Sequence, residues 1–218
     1  MIYENKYANA LFKHKWIIVY VLLLFMAMSA STVSYIKTVN GVNPSFFELI
    51  LEQTNEPQMI LFPLMYLLLL FTMGGKERIE GKNIPSRLLK EAVIEAAVYM
   101  LFFIAANLFY GLLTLKSDSI FTNIWSYKSV LSGVRLSPLT AAAFSLILLF
   151  IRFSFLIYLM NFVNSLMKRS HWGFWCAFLI SYIDFMLAWA GNFVFLMESF
   201  RLFRRYLLLI LYHLTYLL

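Results

Sequence analysis

Apolar stretches long enough to leave water recur along this chain: Trp16 to Ile36, Pro57 to Met73, Ala92 to Leu115, Leu139 to Met160, Gly173 to Met197, and a last one ending at Leu218. A helix crossing a hydrocarbon core of about 30 Å needs about 20 apolar residues, and the first five stretches meet or approach that length. The pattern predicts an all-α fold, a polytopic transmembrane helix bundle. Of the 218 residues 62% are apolar and 13% charged, so almost no chain is left for a soluble domain, and residues 1–218 read as one transmembrane domain. Tyr206 to Leu218 is too short to cross unless its helix begins near Met197 and Arg201, Arg204 and Arg205 reach the interface along their stems. Six spans are expected; five plus a basic interfacial C-terminal helix is the alternative.

The formal charge of +7 would suggest nucleic acid in a soluble protein, but here Lys and Arg fall between the apolar stretches and face anionic lipid. No nucleic-acid partner is expected. Lys6, Lys13, Lys15, Lys76, Arg78, Lys82, Arg87, Lys90, Lys168 and Arg169 gather on one side, which predicts a multi-pass protein of the cell membrane with a cytoplasmic N-terminus. Arg201, Arg204 and Arg205 run against that bias in the six-span arrangement. Residues 1–15 mix Ile2, Tyr3, Tyr7, Leu11 and Phe12 with lysines and predict an interfacial helix. Lys13-His14-Lys15 ahead of Ala27, Ser29 and Ala30 has the outline of a signal peptide, yet the apolar stretch continues past those small residues, which favours a retained span. Cys176 is the one cysteine, so no internal disulfide forms.

Two connections lie on the opposite side. Lys37 to Glu56 carries Glu48, Glu52 and Glu56 at four-residue spacing; it reads as a solvated loop, or as a short acidic helix on the outer surface. Lys116 to Pro138 mixes Ile120, Phe121, Ile124, Trp125 and Tyr127 with polar residues and is expected to lie flat at the interface.

Within the apolar stretches stand Glu95, Arg152 and Asp184. A charge at the bilayer centre costs roughly 2.5–3.5 kcal/mol on insertion scales, so such residues are paired or functional. With span four ending at Met160, Arg152 lies eight residues from that end and Asp184 at a similar depth, which predicts an Arg152–Asp184 pair between consecutive antiparallel helices. The pair reads as a bolt holding the bundle, or as the lining of a substrate path or proton relay. Glu95 shares a helix face with Glu91 and Tyr99. Asn107, Asn161, Asn164 and Asn192, and the small residues Ala141, Ala142, Ala143, Ala188, Ala190 and Gly191, suit close helix packing. The many Phe, Tyr and Met side chains suit a path for hydrophobic cargo, and equally lipid-facing and core positions.

Between spans two and three runs the longest charged stretch, Gly74 to Glu91, with Pro85 and Ser86 fitting the opening of a helix. Its Glu77-Arg78-x-Glu80-Gly81 element, then Pro85-Ser86-Arg87 and Lys90 entering span three, resembles permeases of the type-2 ATP-binding-cassette exporter family. Here Lys82, Asn83 and Ile84 alone separate the two elements, a shorter piece than that family usually has. The resemblance implies that residues 74–91 form a coupling segment on an ATP-binding-cassette ATPase subunit. It implies too that ATP and Mg sit on that partner, and that a second permease chain, identical or related, completes the path.

No Walker-type phosphate loop occurs, and His14, His171 and His213 lack metal-ligand spacing, so neither an enzyme nor a metal site is expected in this chain. His171 and Cys176, five residues apart, point to different helix faces and do not make a thiol protease. The alternatives to an exporter permease are a non-transporting immunity or accessory protein of the membrane, and a small secondary transporter.

Overall fold

The computed structural model describes residues 15–55, 66, 84–115, 121–126, 137–167 and 172–189. Every element among them is α-helical: α1 Lys15–Asn40, α2 Phe46–Asn55, α3 Ile84–Thr114, α4 Pro138–Met167 and α5 Trp172–Trp189. Three contain a segment long and apolar enough to cross a bilayer, Ile18–Asn40, Ser86–Thr114 and Pro138–Leu166. At 18 residues α5 measures about 27 Å. The expected N-terminal interfacial helix, the span over Pro57 to Met73 apart from Tyr66, and the last apolar stretch lie outside the described residues.

The long helices are apolar on all sides, as helices solvated by hydrocarbon are. Along α4, Leu139, Ile147, Ile151 and Phe155 form an exposed stripe at four- and eight-residue steps, while Leu149, Phe153, Leu156, Ile157 and Met160 turn inward. On α3 Leu101 is 68% exposed, and Phe103, two residues on, is fully buried.

Local chemistry sets the helix ends. Gly41, with φ +71°, stops α1 and donates its N–H to the Lys37 carbonyl at 2.9 Å, a left-handed cap that other residues adopt only with strain. Pro85 lies in the first turn of α3, where its missing N–H costs nothing. This helix starts at Ile84, where Pro85 and Ser86 fit an opening, ahead of the apolar stretch from Ala92, so residues 84–91 of the expected coupling segment are helix and not loop: Pro85, Ser86, Arg87 and Lys90 occupy its opening turns. Apolar content alone ends spans too early, because polar helix formers continue the rod beyond the hydrocarbon.

Contacts fix the register. Phe25 of α1 meets Tyr99 and Phe103 of α3 edge-on at 5.4 and 5.7 Å, and Ser29 meets Asn107 one turn further in both helices. Therefore α1 and α3 run parallel. Tyr99 packs on Phe153 of α4 at 4.2 Å, midway along both, in an antiparallel pair. Each such aromatic pair contributes about 0.5–1.5 kcal/mol beyond its buried area.

The Lys37 to Glu56 connection departs most from expectation. It is neither a solvated loop nor a surface helix. Helix α2 packs among α1, α3 and α4, with Phe46, Leu49, Ile50 and Leu51 buried, and none of its side chains described here is exposed. Glu48 has 0% exposure. Helix α2 thus turns back into the bundle alongside α1.

Where α4 turns to α5, Gly173 lets the backbones touch. A Cβ there would collide with the Met160 carbonyl oxygen and the Asn164 side chain, whose Oδ1 accepts the Gly173 N–H at 2.8 Å. Gly173→Ala is expected to lower stability by about 1–3 kcal/mol, read as thermal denaturation in detergent. An unchanged midpoint would show that the α4–α5 crossing is looser than described.

Candidate functional site

Polar groups inside the bundle fall into three levels. At the end where α1 stops, Ser45 and Glu48 cap α2 reciprocally: Glu48 Oε2 accepts the Ser45 N–H at 2.7 Å and Ser45 Oγ accepts the Glu48 N–H at 3.4 Å. The same carboxylate reaches the second connection, accepting the Ser126 backbone N–H at 2.6 Å and its hydroxyl at 2.5 Å. Phe121 packs on Phe46 and Phe47, and Asn123 Oδ1 accepts the Leu139 N–H at 3.0 Å at the start of α4. Residues 121–126 are therefore strapped across the tops of α2 and α4. Phe121 and Ile124 have exposed side chains.

About one half-helix deeper, Ser29 Oγ accepts from Gln53 Nε2 at 3.1 Å and lies 2.9 Å from both Asn107 Oδ1 and the Phe25 carbonyl, between which its single proton is shared. Asn107 Nδ2 donates to the Phe103 carbonyl at 3.0 Å. All three side chains are within 1% of complete burial. The Tyr99–Phe153 pairing brings Ser145 of α4 level with Asn107, since each is eight residues away toward the same end. Gln53 Oε1 and Ser145 Oγ have no hydrogen-bond partner among the described residues.

A third level, about 12 Å further by helical rise, centres on Tyr99. Its ring is 1% exposed, packs edge-on against Tyr66 at 5.0 Å, and lies in the field of Arg152; Tyr66 lies in that of Glu95. The Tyr99 hydroxyl has no partner among the described residues, nor do Ser154 and Ser181 Oγ.

Glu95 and Arg152 thus flank one buried tyrosine layer. Because α4 continues to Met167, Arg152 lies at mid-helix, deeper than a span ending at Met160 implies. Gly173 sits beside Met160 and Asn164, which puts position 184 of α5 about level with Ile151 and Arg152 by helical rise. The Asp184 side chain lies outside what is described. At the opposite end of α3, Ser86, Arg87 and Lys90 are exposed, whereas Glu77, Arg78, Glu80 and Gly81 lie outside the described residues. Among the described residues no group of His, Cys, Asp or Glu is arranged to hold a metal ion.

Sequence reasoning missed Gln53 and Ser29 as partners and Glu48 as a buried staple. The Ser45-Phe46-Phe47-Glu48 order is a capping-box signature and signals the start of α2. Comparison with protein-family models, with curated proteins and with solved structures gives no match to this chain.

The hydrogen bond between Ser29 and Asn107 is expected to show a coupling of about 0.6–1.7 kcal/mol in a double-mutant cycle of Ser29→Ala and Asn107→Ala, measured by denaturation in detergent. Strict additivity would remove that bond from the account of how α1 and α3 are held.

Proposed function

We propose that this chain is the membrane-spanning permease subunit of an ATP-driven exporter, moving a hydrophobic or peptide-like cargo with energy from a separate ATPase subunit and alongside a second permease chain. The observation that carries the reading is the separation of two features on one helix. At its start α3 presents exposed Ser86, Arg87 and Lys90, and at mid-length it carries Glu95, Tyr99 and Asn107 into buried polar levels. A rod of 31 residues joining a charged end to a polar interior suits transmission of a partner's motion to the spans. The resemblance of Glu77 to Lys90 to the coupling segment of type-2 ATP-binding-cassette exporters supplies the identity of that partner. In this reading Arg152, Asp184 and Glu95 stabilise one of the alternating states.

Gentle purification of the tagged protein from its native cells is expected to bring down an ATP-binding-cassette ATPase in stoichiometric amount. Recovery of a different membrane protein in its place would support the accessory-protein reading. Charge reversal by Arg87→Glu is expected to reduce transport at least about tenfold while the protein stays folded, the scale of losing a charged interface contact. Transport at the original rate would rule out Arg87 as a coupling residue.

A further inference from the structure

We infer that α2 is a plug and residues 121–126 its strap, together forming a gate at the end of the bundle where α1 stops, with Glu48 as the latch. Transport through that end rests on the permease reading; the gate itself does not. Glu48 is fully buried and takes three hydrogen bonds, one from the N–H of Ser45, the residue capping α2, and two from Ser126, 78 residues away in sequence. It is the carboxylate at which the plug and the strap meet.

The inner end of the plug is polar where an apolar tip would seal most simply. Gln53 bonds Ser29 across the interface, and Gln53 Oε1 and Ser145 Oγ have no partner among the described residues at that level. Hydrogen bonds between helices in a bilayer average only about 0.6 kcal/mol, and polar surfaces rehydrate cheaply, so such a tip separates more readily than a hydrophobic seal. Beneath it the Tyr99 hydroxyl continues this run of polar atoms without a hydrogen-bond partner among the described residues. Removing α2 from among α1, α3 and α4 would open this run to water from the Glu48 end.

The test uses the full-length protein in membrane vesicles, with Cys176→Ser removing the native thiol and Ser145→Cys as a near-isosteric reporter beneath the plug. Asn40→Cys, at an exposed position, marks in a parallel sample which face holds the Glu48 end. A membrane-impermeant thiol reagent is applied to each face. With Glu48 intact the reporter should label slowly. Glu48→Ala should raise its labelling from the Asn40 face by about tenfold or more, the change in an opening equilibrium expected when hydrogen bonds to a charged acceptor are lost. If Glu48→Ala fails to accumulate, Ser126→Ala, which removes only the hydroxyl donor, should raise labelling by about threefold.

An unchanged rate in a variant that retains its melting temperature would overturn the gate, as would an increase confined to the opposite face. Neither readout depends on an ATPase or on cargo. A failed gate and a failed permease assignment are therefore separate results.

Discussion

Three helices meet at one hydroxyl. Ser29 of α1 receives the amide of Gln53 from α2 and touches the amide of Asn107 from α3, in a bundle where lipid tails give apolar side chains little reason to prefer one neighbour over another. Position therefore depends on polar contacts and close approach. Aromatic rings fill the space below this contact: Phe25, Phe103, Tyr99, Tyr66 and Phe153 pack edge-on around a single centre. A rotation of α1 by one residue would carry Ser29 away from both amides and Phe25 away from the rings, so the parallel register of α1 and α3 is held twice over.

The all-helical class was legible in the sequence because hydrocarbon demands long apolar runs, and α1, α3 and α4 each contain a segment long and apolar enough to cross a bilayer. Their ends were less legible. The fourth apolar stretch closes at Met160, but α4 continues through Asn161 and Asn164, whose Oδ1 accepts the N–H of Gly173 on α5, and Arg152 lies at its middle. Pro85 and Ser86 were correctly placed at a helix opening, yet they belong to the same rod as Asn107.

The candidate site was only half legible. Glu95 and Arg152 stood out as charges among apolar residues; Arg152 acts on Tyr99, and Glu95 on Tyr66, the ring packed against it. Glu48, Glu52 and Glu56 read as a solvent face, since four-residue acidic spacing carries no mark of what covers it. What covers Glu48 is Ser126, from a distant connection, and no local pattern records a partner so far along the chain. Gln53 fails for the same reason: an amide beside Glu52 gives no sign that it faces Ser29.

The interval between partners also bears on how the protein is made. Ser29 and Asn107 are 78 residues apart, as are Glu48 and Ser126. At about 5–20 residues per second of synthesis, α1 and α2 wait roughly 4–16 s for the residues that complete them. During that interval Glu48 lacks Ser126, whereas Gln53 already has Ser29 upstream of it. The buried setting of α2 is therefore complete only once α3, Ser126 and α4 have all been made.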